Sequence, residues 1–176
     1  MRVLCLMLSA VCVLASCRGR ETPQLTTTAV NRVSVRSVNL FFETPQLLLG
    51  PEQRNLSLPE NEAGALTPVV RELIRGSVNA AVPRSFPPDS IVRATYLMAN
   101  GTAVVDLGGA TLVNGWSAGS HEELIATFSI VQTLTANFPS IKRVRILVNG
   151  QAAETLAGHV AIDRSLSPLP SLLANP

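Results

Sequence analysis

The sequence predicts an α+β domain with two layers, in which a mixed β-sheet carries two helices packed on one face. Three observations lead to this fold class. Two segments have apolar residues at helical spacing, a hairpin signal lies between them, and further strand-like segments lie on either side. The predicted order is strand, helix, hairpin, helix, strand, with short additions. No internal repeat or second core is visible, so one domain accounts for the globular part.

The first predicted element is a strand over residues 32–43. Its apolar residues alternate with polar ones as far as Asn39 and then run together, which is typical of a strand that becomes fully buried. Pro45 and Gly50-Pro51 are expected to break the chain. A short strand is expected over residues 55–58.

The first helix is expected to begin with Thr67 as its N-cap and Pro68 in the first helical position, where the missing N–H costs nothing. The apolar residues that follow share one face, and Gly76 is expected to end the helix. Three prolines within residues 77–89 predict an irregular connection.

The hairpin is the clearest local signal. A strand over residues 92–98 is predicted to place Val92 and Tyr96 on the same face. Asn100-Gly101 favours the positive φ angles of a tight turn, and residues 103–107 return as the second strand.

The second helix has marked ends. Ser120 and Glu123 have the spacing of a capping box, and apolar residues follow at helical spacing from residue 124 to residue 135. Phe138-Pro139 is expected to end the helix.

The C-terminal part continues with a predicted strand over residues 144–148 and a turn at Asn149-Gly150. Residues 155–163 are expected to form one more short strand. Residues 164–176 are predicted to be a Pro-rich flexible tail, so the domain itself is assigned to residues 33–163.

Residues 1–17 have the features of a bacterial lipoprotein signal peptide. Arg2 precedes an apolar run that is shorter than the roughly 20 residues of a membrane-spanning helix. The run ends in Leu14-Ala15-Ser16-Cys17, which resembles a lipobox, where signal peptidase cuts before a lipid-modified cysteine. Cys17 is therefore the predicted lipidation site, and the Thr-rich residues 18–32 are the predicted flexible tether. An ordinary secretory signal beside a cysteine is the alternative.

The cysteines and charges limit the classes of function. All three cysteines lie at or before the predicted cut, so no disulfide is expected in the mature chain. We expect an exported, membrane-anchored protein facing the periplasm or the cell exterior, on the outer membrane in a Gram-negative cell because Arg18 replaces the usual retention aspartate. The net charge is +2 with basic residues dispersed, which does not favour nucleic-acid binding. His121 and His159 are too few to suggest a metal site, and no cofactor is expected.

Several motifs in this order resemble the GerMN domain, the sporulation and spore germination domain of bacterial envelope lipoproteins. The resemblance covers about residues 38–161. The motifs are Val38-Asn39-Leu40-Phe41-Phe42, the helix Val70–Gly76, Phe86-Pro87-Pro88-Asp89-Ser90, Asn100-Gly101 with Ala103-Val104-Val105-Asp106-Leu107, and Glu122–Val148 followed by Asn149-Gly150. The family usually has Gly-Pro after the first helix, whereas Gly76 is followed here by Ser77.

The resemblance implies a domain without established enzymatic activity. It implies an interaction or ligand-binding module that is accessory to cell-wall or envelope-complex assembly. The expected partners are the membrane through Cys17, peptidoglycan or an envelope protein, and a second copy of the chain, since some of these domains resemble ring-building domains.

One motif suggests catalysis. Residues 115–119, Gly-Trp-Ser-Ala-Gly, match the G-x-S-x-G nucleophile elbow of serine hydrolases. The preceding residues make a poor central strand, no oxyanion loop is present in the sequence, and the remaining triad partners would have to be Glu154 and His159. No catalytic residue is therefore assigned, and a hydrolase at Ser117 is kept as the distant alternative.

Four residues are candidates for ligand binding. Trp116 lies in the Gly-rich segment 108–119 and, with Arg93 or Arg145, would hold a sugar or a peptide. Packing against the sheet edge is the alternative role of Trp116. Asp106 would contact a ligand or cap a turn.

Overall fold

Residues 32–174 are described by the structure, which is a computed structural model. The predicted signal peptide, Cys17 and the tether up to residue 31 lie outside the described residues. Six strands, three α-helices and a 3-10 turn occupy this range. The strands are β1 (Val33–Glu43), β2 (Leu49–Pro59), β3 (Ile91–Leu97), β4 (Thr102–Gly108), β5 (Arg143–Val148) and β6 (Gln151–Ala152). The helices are α1 (Glu62–Arg75), α2 (Ala110–Asn114) and α3 (Ser120–Asn137), and the 3-10 turn is Pro170–Leu172.

The strands form two sheets. β1 and β2 make an antiparallel hairpin, and the second sheet has the order β3-β4-β5-β6. In the second sheet β4 and β5 are parallel, while the other pairs are antiparallel. Parallel neighbours need a long crossover, and α2 with α3 provides it.

The main core lies on one face of the four-stranded sheet, against α1 and α3. The inward side chains of this sheet are fully or almost fully buried, namely Val92, Ala103, Val105, Leu107, Val144 and Ile146. The opposite face is more open, and Tyr96 there is 59% exposed. The predicted α+β class with a mixed sheet and two main helices on one face is confirmed. The separate hairpin sheet and the short α2 are additions.

The hairpin is joined to α3 by polar side chains. The N–H of Asn39 donates to Asn137 Oδ1 at 2.9 Å, and Asn137 Nδ2 returns a bond to the Asn39 carbonyl at 2.7 Å. The N–H of Phe41 donates to Thr133 Oγ1 at 3.1 Å. These bonds satisfy edge groups of β1 that would otherwise be free to pair with another strand.

Two predicted boundaries are wrong. The N-cap of α1 is Asn61, whose Oδ1 accepts from the Gly64 N–H at 2.7 Å, and Pro68 lies inside the helix. The extra turn buries Ala65 and Leu66 completely, which outweighs the one backbone bond that Pro68 removes.

The second wrong boundary is the chain break at Gly50-Pro51, because β2 runs straight through these residues. Pro51 lies opposite Phe41 in the register. Since the N–H of Phe41 points away from β2 toward Thr133, position 51 needs no donor toward β1, and proline is tolerated there.

The predicted faces of β3 are also wrong beyond its first residues. The register shifts between Val92 and Ala94, which is the signature of a β-bulge. One extra residue moves every later side chain to the opposite face. Val92 is therefore buried, Tyr96 points to solvent, and Thr95 turns inward to bond the Thr67 hydroxyl at 2.7 Å.

The C-terminal segment packs against the domain, in contrast to the flexible tail expected from the sequence. Leu166 bridges Val144 of β5, and Leu173 bridges Leu49 of β2. Leu172 is buried with Phe41 and Ile125 in a second, smaller core cluster. The apolar residues between the prolines supply this packing.

Arg54 connects β2 to α1. Its guanidinium contacts Glu52 and Glu72, each at 2.5 Å, and donates to the Gly76 carbonyl at 2.7 Å. Burial alone raises the pKa of Glu52, but hydrogen bonds from Ser77, Arg54 and the Val78 N–H, together with the charge of Arg54, hold that pKa below its usual value.

This network predicts acid sensitivity. A carboxylate with a lowered pKa stabilises the fold above its ordinary pKa, and this contribution is lost as the pH falls through the folded-state pKa. The Glu52→Gln variant should lose about 1–2 kcal/mol of stability at neutral pH. Its stability should then fall less steeply than that of the wild type below about pH 4.5.

Urea unfolding across this pH range measures both effects. Glu60→Gln is the matched control, because Glu60 is an exposed residue just beyond the same strand. Equal acid profiles for Glu52→Gln and the wild type would contradict the prediction.

Candidate functional site

A cavity of about 530 Å³ lies beside Trp116, at the end of the four-stranded sheet. Three segments form its walls: residues 112–116 of α2 and the chain after it, residues 148–153 around the turn that joins β5 and β6, and residues 155–158. Trp116 is half-buried, and its apolar surface packs against the main core.

The lining of the cavity is uncharged. Its polar side chains are Asn149, Gln151 and Thr155, and Trp116 supplies the aromatic surface. None of the lining residues from the described range 32–174 is acidic or basic. An aromatic wall with a few amide and hydroxyl groups suits a neutral ligand with many hydrogen-bonding groups.

The first wall is held by Asp89. Its carboxylate accepts the N–H of Thr111, in the first turn of α2, at 2.8 Å, and this bond lowers the pKa of Asp89. The chain passes so close to Asp89 that a Cβ on Gly109 would lie 2.6 Å from the Asp89 carbonyl oxygen. Gly109 also has φ 128°, so glycine is required here.

The second wall is a tight turn held by Asp106. Asn149 and Gly150 have φ 52° and 79°, as predicted for a hairpin turn. Asp106 is 6% exposed, and its Oδ1 accepts the Gly150 N–H at 2.7 Å. Its Oδ2 accepts from Arg93 Nε at 3.1 Å. Asp106 therefore caps a turn, although the turn follows β5 and not its own strand.

The third wall is held by Glu123, which is fully buried. Its Oε1 accepts the N–H groups of Leu156 and Ala157 at 2.7 and 2.8 Å, and its Oε2 accepts the N–H of His159 at 2.6 Å. A buried carboxylate is stable only when it is hydrogen-bonded in this way. Three backbone donors and one acid thus fix residues 155–159.

These contacts correct two predictions. Glu123 forms no capping box, because the N-cap of α3 is Gly119 and no side chain caps it. Residues 155–163 form no strand, because several of their N–H groups bind Glu123 in place of a strand partner. The burial of Glu123 could have been predicted from its spacing in the helix. It lies three, four and seven residues before the buried residues Ala126, Thr127 and Ile130, so it shares their buried face.

The four candidate ligand residues are placed differently. Trp116 lines the cavity. Arg93 and Asp106 form an ion pair next to the Asn149-Gly150 turn, but neither residue lines the cavity. Arg145 does not line it either, and in the sheet it lies beside Val104, whose partner on the other side is Tyr96. Their roles in ligand binding remain predictions.

The hydrolase motif lies in a different context from a nucleophile elbow. Ser117 follows the helix α2, whereas an elbow follows a central strand. His159 Nε2 contacts the Ala118 carbonyl at 3.1 Å. Within residues 32–174, Ser117, His159 and Glu154 make no side-chain hydrogen bond to one another.

His121 links two elements of secondary structure through its side chain. Its Nε2 lies 2.6 Å from Glu43 Oε1, which joins the start of α3 to the end of β1. The described residues contain no group of three or more potential metal ligands.

The family model named Germane, described as sporulation and spore germination, matches residues 39–154. The chain belongs to the Germane family. The resemblance to GerMN domains that the sequence motifs suggest is therefore confirmed. The match runs from β1 through β6 and includes two of the three walls of the cavity. It ends just before the loop that Glu123 holds.

Solved structures share the Germane fold. A candidate lipoprotein from Clostridium perfringens has a TM-score of 0.55 at 19% identity, with 82% of this chain and 95% of that chain covered. The tandem GerMN domains of the sporulation protein GerM from Bacillus subtilis have a TM-score of 0.58 at 19% identity, with 85% of this chain and 51% of that chain covered. The first GerMN domain of the Bacillus subtilis protein GerM has a TM-score of 0.50 at 22% identity, with 76% of this chain and 97% of that chain covered.

No curated protein matches this sequence. Within the described range, no helix combines the length and the apolar character needed to cross a membrane.

The buried carboxylate gives a stability prediction. Glu123→Gln keeps the size of the side chain but directs an amide N–H₂ group toward backbone donors, so at least one buried donor loses its partner. We expect a loss of about 3 kcal/mol in the free energy of unfolding, measured by urea denaturation.

Glu122→Gln is the matched control, because Glu122 is the exposed neighbour in the same helical turn. It should change stability by less than about 0.5 kcal/mol. Similar losses in both variants would show that the charge of the helix start matters and that the buried bonds do not.

Proposed function

We propose that this protein is a lipid-anchored envelope protein whose Germane domain is a non-enzymatic module for interaction and ligand binding. It would be accessory to the assembly of the cell wall or of an envelope complex, in the sporulation and germination setting that the family description names. The observation that carries this proposal is the uncharged cavity beside Trp116, with its walls fixed by Asp89, Asp106 and Glu123.

The anchor in this proposal is Cys17. The lipobox-like sequence before it and the fold shared with a candidate lipoprotein both support the proposal. Each buried acyl methylene contributes about 0.8 kcal/mol, and two or more chains together hold a protein stably on a membrane. Residues 18–32 would then let the domain reach away from the bilayer.

The chemistry of the cavity favours a glycan. The indole of Trp116 offers a flat apolar surface for the C–H face of a sugar ring, and Asn149, Gln151 and Thr155 offer neutral hydrogen-bonding groups for hydroxyl and acetamido substituents. The glycan strand of peptidoglycan has this chemistry and is present in the compartment that the signal sequence implies.

A non-enzymatic role is supported by the surroundings of Ser117. The serine lies on an irregular segment after a helix, and the nearby His159 ring is bonded to a backbone carbonyl. The side chains that hold the cavity walls are engaged in structural hydrogen bonds, which suits a binding surface of fixed shape.

A protein partner or a second copy of the chain is the second candidate. The observation that favours it is β3, the edge strand of the four-stranded sheet, which carries the exposed side chains of Ile91 and Tyr96. An exposed strand edge can accept a strand from another chain.

Peptidoglycan binding is the first test. The full chain in nonionic detergent should sediment with purified peptidoglycan, and Trp116→Ala should weaken the binding about tenfold, because it removes the stacking surface. Tyr96→Ala is the control, since it removes an aromatic ring from a different face. It should leave sedimentation unchanged.

Failure of the wild type to sediment would reject the glycan ligand. If the wild type instead crosslinked to an envelope protein or to a second copy of the chain, and Tyr96→Ala abolished this crosslinking, the partner proposal would replace the glycan proposal. Retention of Trp116→Ala at wild-type affinity would reject the cavity as the binding site.

Lipidation is tested by metabolic labelling. The wild-type chain expressed in bacteria should incorporate radiolabelled palmitate and fractionate with membranes. Cys17→Ala should lose the label, because the thioether has no sulfur on which to form. Cys12→Ala is the matched control within the signal segment and should keep the label. Labelling of Cys17→Ala would contradict the assignment.

A further inference from the structure

We propose that a second site, independent of the Trp116 cavity, binds a phosphate group. The site is a groove of about 470 Å³ between the end of α1 and the segment that enters β3. We call it the arginine groove, because Arg71, Arg75 and Arg84 line it together with Ser90, Ile74 and Ile91. None of these residues lines the Trp116 cavity.

The three arginines come from two elements. Arg71 and Arg75 are four residues apart on α1, so they lie on the same helix face. Arg84 comes from the connection after α1, and its Nη2 donates to the Arg75 carbonyl at 3.0 Å. The Arg84 side chain also passes over Gly76, where a Cβ would lie 3.8 Å from Arg84 Cγ. The Arg84 guanidinium is thus fixed at the end of α1, on the border of the same groove.

The positive charge of the groove is incompletely neutralised. Glu72 is shared between Arg54 and Arg75, and the nearby Asp89 carboxylate is directed to the Thr111 N–H. Arg71 makes no ion pair or side-chain hydrogen bond within residues 32–174. Like charges four residues apart on a helix repel each other. An anion bound between the guanidinium groups would remove this repulsion.

Ser90 lies against the same groove and carries a buried hydroxyl. The Oγ of Ser90 is shielded from solvent and has no hydrogen-bond partner within the described residues. A buried polar atom normally has a partner, and one without it calls for an explanation such as an absent ligand. A change of the Ser90 rotamer would turn this hydroxyl toward a bound phosphate and give it a hydrogen-bond partner beside the charged ones.

Phosphate fits this set of donors. A guanidinium binds phosphate oxygens through two parallel N–H bonds, and several guanidinium groups suit a dianion better than a single carboxylate. Ile74 and Ile91 add an apolar surface beside the arginines. The ligand would thus be a phosphate ester that carries an apolar portion, either a lipid headgroup in a membrane or a soluble phosphate ester.

The binding test uses sn-glycerol 3-phosphate and isothermal titration of the full chain in nonionic detergent. The wild type should bind it. Arg71→Gln should bind about tenfold more weakly, as expected for a charge-assisted bond, and Ser90→Ala about fivefold more weakly. Arg143→Gln is the matched control: Arg143 is exposed on β5, and its substitution removes the same charge outside the groove. It should leave the affinity unchanged.

Two outcomes would overturn the proposal. One is the absence of binding by the wild type, and the other is an equal loss in Arg143→Gln, which would indicate attraction by the net charge alone. Arg71→Lys tests the geometry of binding, because it keeps the positive charge but loses the planar guanidinium that binds two phosphate oxygens at once. Its affinity should lie between those of the wild type and Arg71→Gln. Peptidoglycan sedimentation of Arg71→Gln should match the wild type, so this site and the Trp116 cavity can fail separately.

A second measurement identifies the source of the phosphate. Phenylglyoxal, which is uncharged, modifies exposed arginines, and mass spectrometry compares Arg71 with Arg143 in the same chain. Slower modification of Arg71 in vesicles of equal parts phosphatidylcholine and phosphatidic acid than in pure phosphatidylcholine would identify a lipid headgroup, since phosphatidic acid carries a phosphate monoester. Slowing by added sn-glycerol 3-phosphate alone would identify a soluble ester. Equal rates under every condition would reject the site.

Discussion

The carboxylate of Glu123 has no access to water, and this constraint organises the end of the domain where the cavity lies. A buried charge requires hydrogen bonds, and the chain provides them by wrapping residues 155–159 around the start of α3. The loop that results forms one wall of the cavity beside Trp116. The shape of the candidate site therefore follows from the need to satisfy one buried acid near the start of α3.

Asp106, which is also buried, and Asp89, which is exposed, hold the other two walls. Each carboxylate accepts a backbone N–H from a segment far away in the sequence, and each thereby fixes a turn or a short helix that has little core of its own. Three acids hold the walls, yet no lining residue in the described part of the chain is charged. These three acidic side chains thus hold the structure together, and the surface of the cavity is neutral.

The two candidate sites offer different chemical groups to a ligand. The Trp116 cavity, at the end of the sheet, offers aromatic, amide and hydroxyl groups. The arginine groove, where α1 meets the segment before β3, offers guanidinium groups beside aliphatic side chains. In the proposed location, at a membrane and close to the wall, the domain would meet both neutral glycans and phosphate groups, and separate surfaces would let it contact both.

The sequence by itself determined the fold class, the position of the β3–β4 hairpin, the end of α3 at Phe138-Pro139 and the membership of a family, because these depend on local periodicity, turn residues and their order. Of the predicted turn pair Asn100-Gly101, only Gly101 has a positive φ, 76°. Only the tertiary structure decided the faces of β3 after its bulge, the continuity of β2 through Pro51, the packing of residues 164–174 and the partners of Glu123 and Asp106. Each of these depends on groups distant in the sequence, which supply a missing donor, an acceptor or an apolar surface. Local patterns cannot specify such partners, since they are created by the packing of the chain on itself.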